Sequence, residues 1–123
     1  MAETDWQEPK WVGIKKHRPP PGVPWEDVVK ATAGKKPARY HPTYSLDRAR
    51  EELELRCVRQ GTELSMSGTD PQTKRCFFMR MNAVIGASNG EETEYVFGEY
   101  LVSGEVHGRP ITVQELRRKG AEI

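Results

Sequence analysis

SLDRAREELELRCVRQGTELSMS, residues 45–67, contains the change of period that decides the fold. From Ser45 to Gln60 the apolar residues Leu46, Ala49, Leu53 and Cys57 recur three or four apart, the spacing of one helical stripe. Ser45 is a good N-cap, Asp47 suits a first turn, and Glu52 stands four residues before Arg56, the favourable order for a surface pair. Gly61 is a natural helix stop. Beyond it, Leu64 and Met66 alternate with polar residues, which is the period of a strand. The spacing predicts a helix over 45–60 and a strand over 62–67.

Towards the C-terminus the alternation continues. Gly68-Thr69-Asp70-Pro71 is turn chemistry. Residues 75–84 read as a second strand, with Phe77, Met79, Met81 and Ala83 on one face and Cys76, Phe78, Arg80 and Asn82 on the other. Ser88-Asn89-Gly90 marks another turn. A third strand, or one broken by a bulge, is expected from Thr93 to Val106, with Gly98 and Gly104 at bulge or close-approach positions. Thr112-Val113-Gln114-Glu115 is a capping box, and it opens a short helix that Gly120 ends. This part of the chain reads as α+β: one main helix packed on a three-stranded antiparallel meander, with a short C-terminal helix.

Towards the N-terminus the character differs. Residues 10–39 carry eight Lys and Arg (Lys10, Lys15, Lys16, Arg18, Lys30, Lys35, Lys36, Arg39) against Glu26 and Asp27, a local charge of +6 in a chain whose total is +1. The three tryptophans (Trp6, Trp11, Trp25) and seven of the nine prolines also fall within the first 42 residues, so cations are interleaved with aromatic and stiff positions. Pro19-Pro20-Pro21 favours an extended polyproline II segment, mobile if left in water. Pro24 to Thr32 reads as a short helix with Trp25, Val28 and Val29 on one face. The expected organisation is a basic extended arm, 1–39, and a small α+β domain, 40–123.

Composition limits the functions. No apolar run is long enough for a bilayer, and the acidic start MAETDW does not read as a secretory signal. Two cysteines, Cys57 and Cys76, are expected as reduced core thiols in a cytoplasmic protein rather than a disulfide scaffold. No metal is expected, because the His and Cys residues lack ligand spacing. No cofactor is expected either, since no phosphate-cradling glycine loop is present. Met66, Met79 and Met81 read as core filler.

Three functions fit. The first is binding through the arm. Lys10, Lys15, Lys16, Arg18, Lys35 and Lys36 would meet phosphates or an acidic protein groove, and Trp11 and Trp25 would stack or anchor. The partner is then nucleic acid, RNA favoured, or a protein. The second is a metal-independent ribonuclease, toxin-like in its helix-then-sheet layout. His41 and His107 would exchange protons, Arg39 and Arg109 would hold the phosphate, and Tyr44 would stack or donate a proton. That reading places His107 in a tight turn, Val106 to Pro110. The third is a structural subunit whose arm wraps a neighbour.

Overall fold

The computed structural model describes residues 5–66 and 69–123. The chain is mixed α and β, with three α-helices and two sheets. In chain order the elements are β1 (Lys10–Trp11), α1 (Trp25–Ala31), β2 (Arg39–Tyr40), α2 (Asp47–Gln60), β3 (Thr62–Leu64), β4 (Lys74–Arg80), β5 (Gly86–Ser88), β6 (Glu91–Thr93), β7 (Tyr95–Leu101), β8 (Glu105–Ile111) and α3 (Val113–Arg118). Single 3-10 turns lie at Lys15–His17 and Pro42–Tyr44.

The larger sheet has five strands in the order β1-β8-β7-β4-β3, and the smaller has three, β2-β5-β6. The expected three-stranded meander is therefore corrected. Its β3-β4-β7 core is present, but the segment read as one strand over 93–106 is β6, β7 and the start of β8. Gly104 is the reason: at φ +100° it turns the chain, so that β8 runs back antiparallel along β7. His107 consequently sits inside β8, not in a turn. The expected second strand stops at Arg80 because Asn82 adopts φ +58°. Ser67 and Gly68, at the end of the first expected strand and the start of its turn, lie outside the described residues.

The two sheets are joined. Met81 N–H donates to the Glu94 carbonyl, and β6 runs into β7, so β4–β5 and β6–β7 form one long bent hairpin. Asn89 at φ +54° and Gly90 at φ +79° close its tip. Positive φ at both central residues is the type I′ turn that matches strand twist.

Both faces of the five-stranded sheet are covered, which explains the buried run Cys76-Phe77-Phe78 on β4. Leu53, Cys57 and Val58 of α2 pack with Phe77, Val96, Val106, Tyr40 and Ile85 on one side. Leu116 of α3 packs with Cys76, Phe78, Phe97, Ile111 and Leu64 on the other. The expected division of β4 between Phe77 and Phe78 faces is the observed one. Glycines let α2 approach. A Cβ at Gly98 would lie 3.0 Å from Val58 Cγ1, and one at Gly108 would lie 3.1 Å from Glu54 Cγ.

The stripe of α2 is shifted from expectation. Leu46 is 72% exposed and Leu46, not Ser45, is the N-cap. Ser45 instead closes the preceding 3-10 turn, its N–H donating to the Pro42 carbonyl. The buried face is Arg50, Leu53, Glu54, Cys57 and Val58.

Residues 5–39 lie on the rest of the chain. β1 extends the larger sheet in parallel with β8, pairing Lys10 with Glu105 and Trp11 with Val106. Pro19 is buried and Val28 of α1 is 2% exposed. The segment expected to be mobile is thus docked, because its apolar residues find cover there. The expected boundary between residues 39 and 40 falls inside β2.

Candidate functional site

The docked segment is fastened at Glu54. This α2 carboxyl is 3% exposed. Its Oε1 accepts from Trp11 Nε1 at 2.8 Å and its Oε2 from the Tyr40 hydroxyl at 2.5 Å. The Gly108 backbone N–H also donates to it. Burial raises the Glu54 pKa, while the bonds from Tyr40, Trp11 and Gly108 pull it back. Burial and the adjacent Glu54 push the Tyr40 hydroxyl well above its ordinary value. Arg50, buried beside it on α2, donates to the Tyr44 carbonyl at 2.6 Å and the Ser45 carbonyl at 2.9 Å, and pairs with Asp47. Every buried side-chain polar atom among the described residues has a partner. This network holds the strap.

The strap then turns its cations outward. Lys15 and Lys16 occupy the 3-10 turn and are exposed. His17, between them and Arg18, points inward at 4% exposure, its Nδ1 2.7 Å from the Ala38 carbonyl. A carbonyl only accepts, so Nδ1 carries the proton. Burial lowers the His17 pKa to about 4; the Ala38 bond opposes this, and Lys16, Arg109 and Arg39 add to it. His17 is neutral near pH 7 and adds no charge. Arg39, reaching across from β2, donates through Nη1 to the Arg18 carbonyl at 3.0 Å, which sets its guanidinium beside the turn. Arg18 itself pairs with Asp47 at 3.3 Å. Among the described residues Lys10, Lys15, Lys16, Lys35, Lys36 and Arg39 have no ion-pair partner. Lys15 and Lys16 on the turn thus have Arg18 at its end and Arg39 bonded to the Arg18 backbone, a basic group in which Arg18 is matched by Asp47. Lys10 stands exposed on β1, and Lys35 and Lys36 follow α1.

Of the tryptophans only Trp11 borders those cations, lining a hollow with Lys15, Arg18 and Asp47. Trp11 is committed to Glu54. Trp25 donates from Nε1 to Glu92 Oε2 at 2.7 Å, and its ring meets His41 edge-on at 4.7 Å. Trp6 packs on Tyr100 at 5.0 Å. These indoles anchor the fold.

The residues expected for acid–base chemistry have separate partners. His41 Nδ1 accepts from the Thr43 N–H at 3.2 Å. Tyr44 lies against Tyr40 at 5.8 Å. His107 Nδ1 is 3.6 Å from Glu99, which also binds Lys74. Arg109 is held by both Glu115 oxygens, at 3.1 and 2.6 Å, with Phe97 beneath its guanidinium. Glu115 titrates below the ordinary range: burial would raise it, but the bond and charge of Arg109, with Lys119 and Arg118, together outweigh burial. Among the described residues no hydrogen bond, ion pair or ring contact joins His41 to His107.

Cys57 and Cys76 are buried free thiols. Burial and Glu54 raise Cys57 to about 12, and burial, with Glu99, raises Cys76 as well. Among the described residues no group of three or more His, Cys, Asp or Glu side chains could hold a metal ion, and no helix is long and apolar enough to cross a membrane. Comparison with protein-family models, curated proteins and solved structures gives no match. Sequence reading missed Glu54, Arg50 and His17. The first two were visible as members of an i, i+3, i+4, i+7, i+8 series from residue 50; His17 carried no signal.

Proposed function

We propose that the chain is a cytoplasmic polyanion-binding protein, with RNA the favoured partner, that contacts phosphates through Lys15, Lys16, Arg18 and Arg39. One observation supports this most. The Arg39–Arg18 carbonyl bond gathers cations from two separate elements beside a turn whose lysines form no ion pair among the described residues, Asp47 nearby being taken up by Arg18 and Arg50. Holding like charges together is costly, and an anion in trans relieves that cost. With the indoles engaged in the fold, contact is to the phosphate backbone and carries little sequence preference. Two buried reduced thiols suit a reducing compartment.

Binding is preferred to ribonuclease chemistry because Glu115 takes up Arg109 and the two histidines are engaged separately. The test is titration of labelled single-stranded and duplex RNA at several salt concentrations, with polyglutamate as competitor. Affinity for RNA falling with salt, and weakened by Lys15→Gln with Lys16→Gln, supports the reading. Salt-insensitive binding, or polyglutamate competing better than RNA, overturns it in favour of a protein partner.

A further inference from the structure

β8 leaves the sheet at Ile111, where Thr112 caps α3 through the Glu115 N–H at 3.2 Å. Tyr95, paired with Ile111, is therefore the last residue of the β6–β7 run with a strand on that side. β6 has β5 along one edge and, among the described residues, no strand along the other. The two-residue tip turn makes Ser88–Glu91 a hydrogen-bonded pair, and the alternation makes Gly86–Thr93 the next. Glu92 lies between those pairs. Its N–H and C=O point away from β5, in the plane of the sheet, and no backbone group of the described residues takes them up.

That open edge faces a groove of about 450 Å³ between β6 and the start of α3, with Arg80, Glu91, Glu94, Tyr95, Thr112 and Gln114 among its walls. A second hollow of about 400 Å³ continues it past Asn89 to Arg118. The first groove carries Glu91, Glu92 and Glu94 against Arg80 and is anionic, whereas in the second hollow the charge of Arg118 balances that of Glu91. Glu91 has no cation partner among the described residues, Glu92 accepts only from the Trp25 indole, and Glu94 is matched by Arg80 at 3.2 Å.

We infer that the β6 edge receives an extended, Lys- or Arg-bearing segment of a partner protein as an added strand. Backbone pairing at Glu92 supplies register, and alternate side chains of the guest reach the carboxylates and Tyr95. This rests on the open edge and its charge, independently of the basic face.

The test uses the full chain and a fluorescent peptide that alternates Lys with Thr and Val, read by anisotropy. Saturable binding is expected. So is a loss of about tenfold or more when alternate peptide amides are N-methylated, and a similar loss with Glu92→Pro. Proline at an outward-facing edge position leaves the β5–β6 bonds intact. The methylated peptide decides the matter if that variant fails to fold. Equal affinity for plain and methylated peptides would mean loose charge attraction and would overturn the proposal. So would undiminished binding to Glu91→Lys, or no binding of the Lys peptide at all.

Discussion

Trp11 Nε1 and Glu54 Oε1, 2.8 Å apart, join the N-terminal strap to the central helix at a point almost sealed from water. Replacing Trp11 with Phe keeps most of the ring and deletes the donor. A buried carboxyl that loses a donor costs about 1–3 kcal/mol. Urea unfolding of Trp11→Phe should show that loss, with the midpoint moving and the slope nearly unchanged. An unchanged midpoint would mean that the bond contributes nothing.

Removing residues 1–23 is a harsher change. It strips β1 from the β8 edge, uncovers the Trp11 site on Glu54 and removes Pro19. The truncated protein should unfold at lower temperature than the full chain, followed by circular dichroism. Loss of RNA binding in this truncation would therefore not separate the basic face from the fold. The paired Lys15→Gln and Lys16→Gln changes do so, since both side chains are exposed. With about three phosphates contacted, the logarithm of affinity should fall with the logarithm of salt at a slope of about −2 to −3, and the double variant should lower its magnitude by about 1–2. A variant with wild-type slope would exclude these lysines.

His17 sets an acid limit. Its pKa is about 4 in the fold against the ordinary 6.5, so the unfolded chain binds the proton more readily. Stability from this group is then complete above the unfolded pKa. It falls away as pH drops below 6.5 towards 4, by about 2 kcal/mol between pH 7 and pH 5. Glu54, raised by burial, works in the opposite sense above its ordinary pKa, so the two must be separated. The difference between wild type and His17→Asn does this, because Glu54 is common to both. The variant should lose less stability than wild type on going from pH 7 to pH 5, as measured by urea midpoints at each pH. Parallel losses would show that His17 is not the group responsible.

Gly108 is a packing test. A Cβ there would sit 2.4 Å from the Phe97 carbonyl and 3.1 Å from Glu54 Cγ. Gly108→Ala forces β8 or α2 to shift and should destabilise by about 1–3 kcal/mol. Thermal unfolding close to wild type would show that α2 has slack at this point.

Cys57, raised to about 12, should be inert to a thiol reagent at pH 8 in the native state and react once urea unfolds the chain. Rapid labelling of the folded protein at Cys57 would contradict its burial.

Much of the fold was legible where one period dominates. The helix at 45–60, the alternation of β4, the turn at Asn89-Gly90 and the Thr112 cap are local signals, and each became the expected element. What failed was non-local. Gly104 reads as a bulge or close-approach position, and a Cβ there would indeed lie 2.7 Å from the Glu8 carbonyl, but its positive φ also reverses the strand, and that reversal puts His107 in β8 rather than in a turn. The strap's docking depends on a parallel pairing between Lys10 and Glu105, which no local pattern encodes. Glu54 was passed over because a carboxylate on an apolar stripe reads as surface; only Trp11, Tyr40 and Gly108, brought from three other segments, make its burial tolerable. The basic residues were plain in the sequence, but their grouping beside the Lys15–His17 turn depends on Arg39 crossing to the Arg18 carbonyl.

The β1–β8 pairing also has a consequence in time. Lys10 and Trp11 can pair with Glu105 and Val106 only after the intervening residues 12–104 have been made. Loop-closure entropy makes contacts so far apart in sequence late ones. During synthesis the strap therefore waits, with Trp6 and Trp11 uncovered and the outer edge of β8 bare once that strand forms. Ribosome-bound intermediates should accordingly be bound by holdase chaperones until β8 emerges, and closing the strap is the event that ends that exposure.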